Sequence, residues 1–85
     1  MEPNQSIVKI RDLGLAAALV SLDVKISNTV KDDKGRTYFI FCYDDDDAAN
    51  IDTAIDNYWH DHLGVDARHY SDAIKMLKNL IYSGR

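Results

Sequence analysis

Thr37-Tyr38-Phe39-Ile40-Phe41-Cys42-Tyr43 is the stretch on which the fold turns. It is too short for a stable helix and is rich in the aromatic and β-branched types that strands favour. Alternation puts Tyr38, Ile40 and Cys42 on one face and Phe39, Phe41 and Tyr43 on the other. Apolarity on both faces predicts a central strand, paired along both edges.

Upstream, Lys31-Asp32-Asp33-Lys34-Gly35-Arg36 is charged and carries a glycine, which supplies turn chemistry. Before it, Val24 and Ile26 alternate with Lys25 and Ser27, and Val30 keeps the period, so a hairpin partner with one face on the core is expected. Further upstream, Asp12 is a good N-cap. The following run Leu13-Gly14-Leu15-Ala16-Ala17-Ala18-Leu19-Val20-Ser21-Leu22 has no charge and is apolar nearly all round, as buried helices are. Ser6-Ile7-Val8-Lys9-Ile10 reads as a further short strand.

Downstream, Asp44 to Asp47 stop the central strand and offer an N-cap and first-turn carboxylates to a second helix. Its Ala48, Ile51, Ile55, Tyr58, Trp59 and His62 recur at helical spacing and are expected to face the core. Leu63-Gly64-Val65 breaks that pattern with a glycine cap. Asp66 opens a third helix in which Tyr70, Ala73, Ile74, Leu77 and Ile81 share a face, and Gly84 ends it. The expectation is one α+β domain over residues 1–85, ordered from about 6 to 83, with the order β-α-β-β-α-α and a three-stranded, mostly antiparallel sheet covered by helices.

Composition agrees with a single folded unit. The chain has 85 residues, 46% hydrophobic and 28% charged, with one proline and four glycines, far from the composition of disordered chains. The single cysteine, Cys42, excludes an intramolecular disulfide, and the N-terminal residues lack the pattern of a signal peptide. No apolar run approaches the roughly 20 residues of a membrane span. A cytoplasmic protein is expected, with no membrane partner.

Arg11-Asp12-Leu13-Gly14-Leu15-Ala16-Ala17, Tyr58-Trp59, Val65-Asp66-Ala67-Arg68 and Asp72-Ala73-Ile74-Lys75-Met76-Leu77-Lys78 resemble segments of a family of small uncharacterised proteins, a domain of unknown function, from Gram-positive bacteria and their phages. The resemblance covers residues 7–82. It implies a free-standing small protein, phage or prophage encoded, and an adaptor or inhibitor more than a metabolic enzyme. It carries over no activity and no site residue.

Catalytic and metal constellations are weak. His60-Asp61-His62 with His69 has the right residue types for zinc, manganese or nickel. On a continuous helix, however, residues two apart point about 200° from each other and share no ion unless the helix ends between them. Asp44 to Asp47 lack a calcium-loop pattern. Cys42 lies mid-strand in apolar surroundings, which predicts a buried, inert thiol. No nucleophile elbow or phosphate loop is present in the sequence. The expectation is a non-enzyme with no cofactor, no catalytic residue and no metal site.

Tyr38, Phe39, Phe41 and Tyr43 have the composition of a base-stacking platform, but between Thr37 and Ala67 there is no lysine or arginine, and the net charge is −4. Direct nucleic-acid binding is therefore not expected.

Charge distribution is the least ordinary feature. From Asp44 to Asp66 there are eight aspartates and no basic residue. Asp45, Asp52 and Asp56, with Asp61 a turn further and Asp46 beside them, are expected to line the solvent side of the second helix. The bland reading is a solvated face that keeps the protein soluble. The sharper one makes Asp45, Asp46, Asp52, Asp56 and Asp61 a docking surface for a basic protein surface. The chain is then a non-enzymatic protein-interaction module, a phage-encoded modulator of a host protein. The alternative is a self-associating accessory protein, a homodimer, because Tyr58, Trp59 and Tyr82 fall near helix ends where one small domain has too few layers to cover them all. The minor alternative is a small metal-dependent or nucleic-acid-binding protein.

Overall fold

A computed structural model describes residues 5–83; the expected stop at Gly84 lies outside the described residues. In chain order the elements are β1 (Gln5–Ile10), α1 (Leu13–Ser21), β2 (Lys25–Lys31), β3 (Thr37–Asp44), α2 (Ala48–Trp59) and α3 (Ala67–Ser83), with a short 3-10 turn, Asp45–Asp47, leading into α2. This is the α+β order expected. The sheet runs β1-β3-β2 with both pairings antiparallel, so the two-faced apolar strand is central.

Register divides the sheet into two unlike faces. Ile10 lies opposite Phe39 and Val8 opposite Phe41, while Ile26 meets Phe41 from the other side. These residues join α1, α2 and α3 in one core with Leu15, Leu19, Ala54, Ala73 and Leu77. Phe41 is wholly buried, and burial of a side chain of this size contributes about 1.5–3 kcal/mol. Tyr38, Ile40 and Cys42 point away from the helices, beside Ile7 and Lys9 of β1. Ile40 is only 9% exposed there because its strand neighbours cover it, while Ile7 at the edge is 65% exposed. Cys42 is thus half-buried on the open face, with its Sγ 3.3 Å from Gln5 Oε1, and not enclosed in the core as expected.

The expected phase of β2 fails at its middle. A bulge at Ser27 shifts the register between Ile26 and Asn28, so Thr29 faces Phe39 on the helix side and Val30 pairs with Tyr38 on the open face. One inserted residue reverses every side chain after it.

In α1 the five consecutive residues Leu15 to Leu19 are buried, which requires neighbours on every side. Ala16, Ala17 and Ala73 are small enough to let α3 pack closely onto α1. Asp12 caps α1 as expected, accepting from the Leu15 N–H at 2.8 Å, and Asp66 caps α3, accepting from the His69 N–H at 3.0 Å.

The other helix ends differ from expectation. Asp44 and Asp47 make no side-chain cap; the aspartate run forms the 3-10 turn, and Asp45 Oδ1 instead accepts from Ser6 Oγ of β1 at 2.6 Å. At the other end of α2 the left-handed residue is Asp61, φ 61°, and not Gly64. The His62 N–H bonds the Asn57 carbonyl at 2.8 Å and the Asp61 N–H bonds that of Tyr58 at 3.2 Å, a Schellman closure in which aspartate takes the usual glycine position. Asp23, φ 67°, closes α1 in the same way, with the Val24 N–H on the Leu19 carbonyl at 3.0 Å. Because α2 stops at Trp59, His62 leaves the apolar stripe, and Trp59 itself stands 59% exposed. The core face of α2 is instead Ile51, Ala54, Ile55 and Tyr58.

Asp32 organises the β2–β3 turn. Its carboxylate accepts from the backbone N–H groups of Arg36 and Lys34 at 3.0 and 2.9 Å and from Arg36 Nε at 2.7 Å, while Gly35 takes the left-handed position at φ 80°. The Arg36 backbone N–H is foremost in holding the Asp32 pKa down at about 2 from 3.8. A carboxylate depressed in the folded state adds stability that is complete above its unfolded pKa and lost as pH falls through its folded one. The stability difference between the wild type and Asp32→Asn, measured by urea unfolding, is therefore expected to be constant at neutral pH and to shrink between pH 3.8 and about 2. A difference that does not change with pH would contradict this role.

Candidate functional site

The N-terminus of α1 is where the three helices are tied together. Asp12 Oδ2, already holding the Leu15 N–H, also accepts from the Tyr58 hydroxyl of α2 at 2.8 Å. The Tyr70 hydroxyl of α3 donates to the Gly14 carbonyl at 3.3 Å. Gly14 is required here because a Cβ would run into the Tyr58 hydroxyl and lie 3.2 Å from both Asp12 Oδ2 and the Tyr70 hydroxyl. Burial first, and then the bond to Asp12, push the Tyr58 pKa up to about 12. Tyr58 is therefore held as the protonated donor to Asp12, whose Oδ2 it shares with the Leu15 N–H. The cluster is a clamp.

Trp59 stands beside this clamp, its ring edge-on to Tyr58 with centroids 5.0 Å apart. It separates two depressions. On one side a cleft of about 480 Å³ is lined by Ala18, Tyr58, Asp61, Leu63, Val65 and Tyr70. On the other a groove of about 640 Å³ runs between β1 and α2, with walls from Val8 to Leu13, Leu15 and Ile55. A large, rigid, half-exposed indole between a mixed cleft and a mainly apolar groove is the type of anchor that protein interfaces use.

The expected acidic residues do not form one row. Asp52 and Asp56 are exposed one turn apart on α2. At 100° per residue Asp52 lies about 20° from Trp59 around the helix and Asp56 about 60°, so both border the α2 wall of the groove on its solvent side without lining it; the charged residues that line it are Lys9, Arg11 and Asp12. Asp45 is tied to Ser6, and Asp46 is exposed beside it in the 3-10 turn. Asp61, in its left-handed position, belongs to the cleft on the far side of Trp59.

The helix does end between His60 and His62, yet the His60 ring turns back, with Nδ1 2.8 Å from the Asp56 carbonyl oxygen. His69 lies beside its own cap, with Nδ1 3.5 Å from Asp66. Among the described residues no three His, Cys, Asp or Glu side chains are placed to hold a metal ion, and no helix is long and apolar enough to cross a membrane. Of the strand aromatics, Phe39 and Phe41 are buried under the helices, and Tyr38 carries Lys9 Nζ 5.2 Å from its ring centre.

The groove is not visible in any local stretch of sequence because its walls lie forty or more residues apart. The one local signal was Trp59 at a helix end, beyond the reach of the core.

Residues 5–83 match the profile of a domain of unknown function, DUF5659. The chain belongs to that family. The match spans every element of the fold, so the clamp, the groove and the acidic rim all lie inside the DUF5659 domain. Comparison with curated proteins and with solved structures found no match.

Proposed function

We propose that this DUF5659 domain is a non-enzymatic protein-interaction module of the cytoplasm. It docks a partner carrying apolar and basic side chains across Trp59 and the groove beside it. The observation that carries the reading is the 59% exposure of Trp59 at the mouth of an apolar groove. Water-facing tryptophan is costly to leave bare and valuable to cover. Asp52 and Asp56 along the rim supply the charge half of the recognition, giving association that weakens with salt. On the resemblance of its helix segments to small Gram-positive and phage proteins, the partner is a host protein and the domain its modulator.

Panning a random-peptide library on the folded chain tests this. Selected peptides are expected to combine apolar residues with lysine or arginine. Trp59→Ala should weaken their binding by about tenfold or more, as removal of a central aromatic anchor does, and Asp52→Asn with Asp56→Asn should reduce the salt dependence. Selected peptides that bind Trp59→Ala as well as the wild type would reject the site.

A second reading, self-association, rests on the open sheet face, where Ile7 is 65% and Val30 38% exposed. Light scattering at micromolar concentration decides it, since the chain mass is 9.6 kDa.

A further inference from the structure

Among the described residues β1 has β3 on one side only, so its other edge carries backbone N–H and C=O groups that no strand pairs. The groove is lined by Val8, Lys9 and Ile10 in succession. Side chains of consecutive strand residues point to opposite faces, so what these three present to the groove in common is the backbone edge itself.

The two edges of the sheet are unlike. β2 is interrupted by the bulge at Ser27 and begins and ends with Lys25 and Lys31, features that keep an edge from pairing. β1 keeps regular register through all six of its pairs. On the helix side of that edge the surface is apolar, with Val8 and Ile10 facing Ile55 and Trp59 across the groove. The rim on α2 is acidic through Asp52 and Asp56, and Arg11 lies at the end of the groove where β1 gives way to α1. Lys9 points to the open face, over Tyr38.

We infer that the partner binds as an added strand: an extended segment pairs with the free edge of β1, its inward apolar side chains fill the space between Val8, Ile10, Ile55 and Trp59, and its lysines or arginines meet Asp52 and Asp56. This rests on the interaction reading above and goes beyond it by specifying the backbone conformation and charge of the ligand. Charge selects the occupant. A second copy paired about a two-fold axis at β1 would set one acidic α2 rim beside the other, whereas a basic segment neutralises the rim.

The probe is the strongest peptide selected on the folded chain, resynthesised with N-methyl groups on alternate residues in each of the two phases, and titrated by calorimetry against the wild type and Trp59→Ala. In a strand addition only every second amide points at the edge. Methylation in one phase is expected to weaken binding about tenfold or more, and in the other to leave it nearly unchanged. Binding that depends on Trp59 yet tolerates both phases would overturn strand addition and leave the interaction reading standing. Binding independent of Trp59 would overturn both. A dimer of the chain alone that the peptide dissociates would give the β1 edge to a second copy and overturn the choice of partner.

Discussion

Phe41→Ala is expected to cost about 3–5 kcal/mol, as loss of a buried phenylalanine does. Phe41 is fully buried at the centre of the sheet, flanked by Val8 and Ile26 on the neighbouring strands and roofed by the helices. In a domain whose total stability is about 5–15 kcal/mol, that loss removes a large share and lowers the melting temperature by more than about 12 °C. Ile40→Ala, one residue away, should cost clearly less, because Ile40 lies on the open face where water or neighbouring side chains can fill the space. Thermal and urea unfolding of the two variants measure both. A Phe41→Ala loss no larger than that of Ile40→Ala would mean that the helices do not cover the Phe39 and Phe41 face.

The second large effect runs against helix propensity. Alanine is worth about 1 kcal/mol more than glycine inside a helix, yet Gly14→Ala is expected to destabilise by about 1–3 kcal/mol through overpacking. The added methyl group collides with the Tyr58 hydroxyl, and moving that hydroxyl breaks its 2.8 Å bond to Asp12. Tyr58→Phe removes the obstructing oxygen, so the double variant should be less destabilised than the sum of the two single ones. The clamp also has an alkaline signature. With Tyr58 held protonated up to about 12 against an ordinary value of 10.0, its contribution is complete below pH 10.0 and lost as pH rises through about 12. A Gly14→Ala protein more stable than wild type would show that the three helices are not joined there.

Most of the fold could be read from local pattern. The two-faced run at Thr37 to Tyr43, the uncharged run at Leu13 to Leu22 and the aspartates before Leu15 and His69 each state one structural need that tertiary contacts then meet. Local pattern failed at the bulge in β2 and at the end of α2. The bulge at Ser27 has no residue signature, yet it turns Val30 outward. Gly64 is the residue that sequence pattern favours for closing α2, but aspartate also tolerates the left-handed region, and Asp61 takes it. That early stop carries Trp59 out of the core.

The candidate site was legible only in its charge. Asp52 and Asp56 share a helix face as their spacing requires, but Ser6 draws Asp45 toward β1 and the left-handed turn carries Asp61 into a different hollow. The first depends on a partner 39 residues away in the chain, and the second on which of Asp61 and Gly64 takes the left-handed position. The groove itself exists only after β1 and α2 have been placed side by side.

Titration of the isotopically labelled chain with a selected peptide, followed by amide and indole chemical shifts, tests most directly the claim that this domain works through the groove beside Trp59. The predicted result is that the largest shifts fall on Val8 to Leu13, on Ile55 and on Trp59, with smaller ones at Asp52 and Asp56, while the outer face of α3 stays still. Shifts centred instead on α3, or on the open sheet face around Ile7 and Val30, would contradict it.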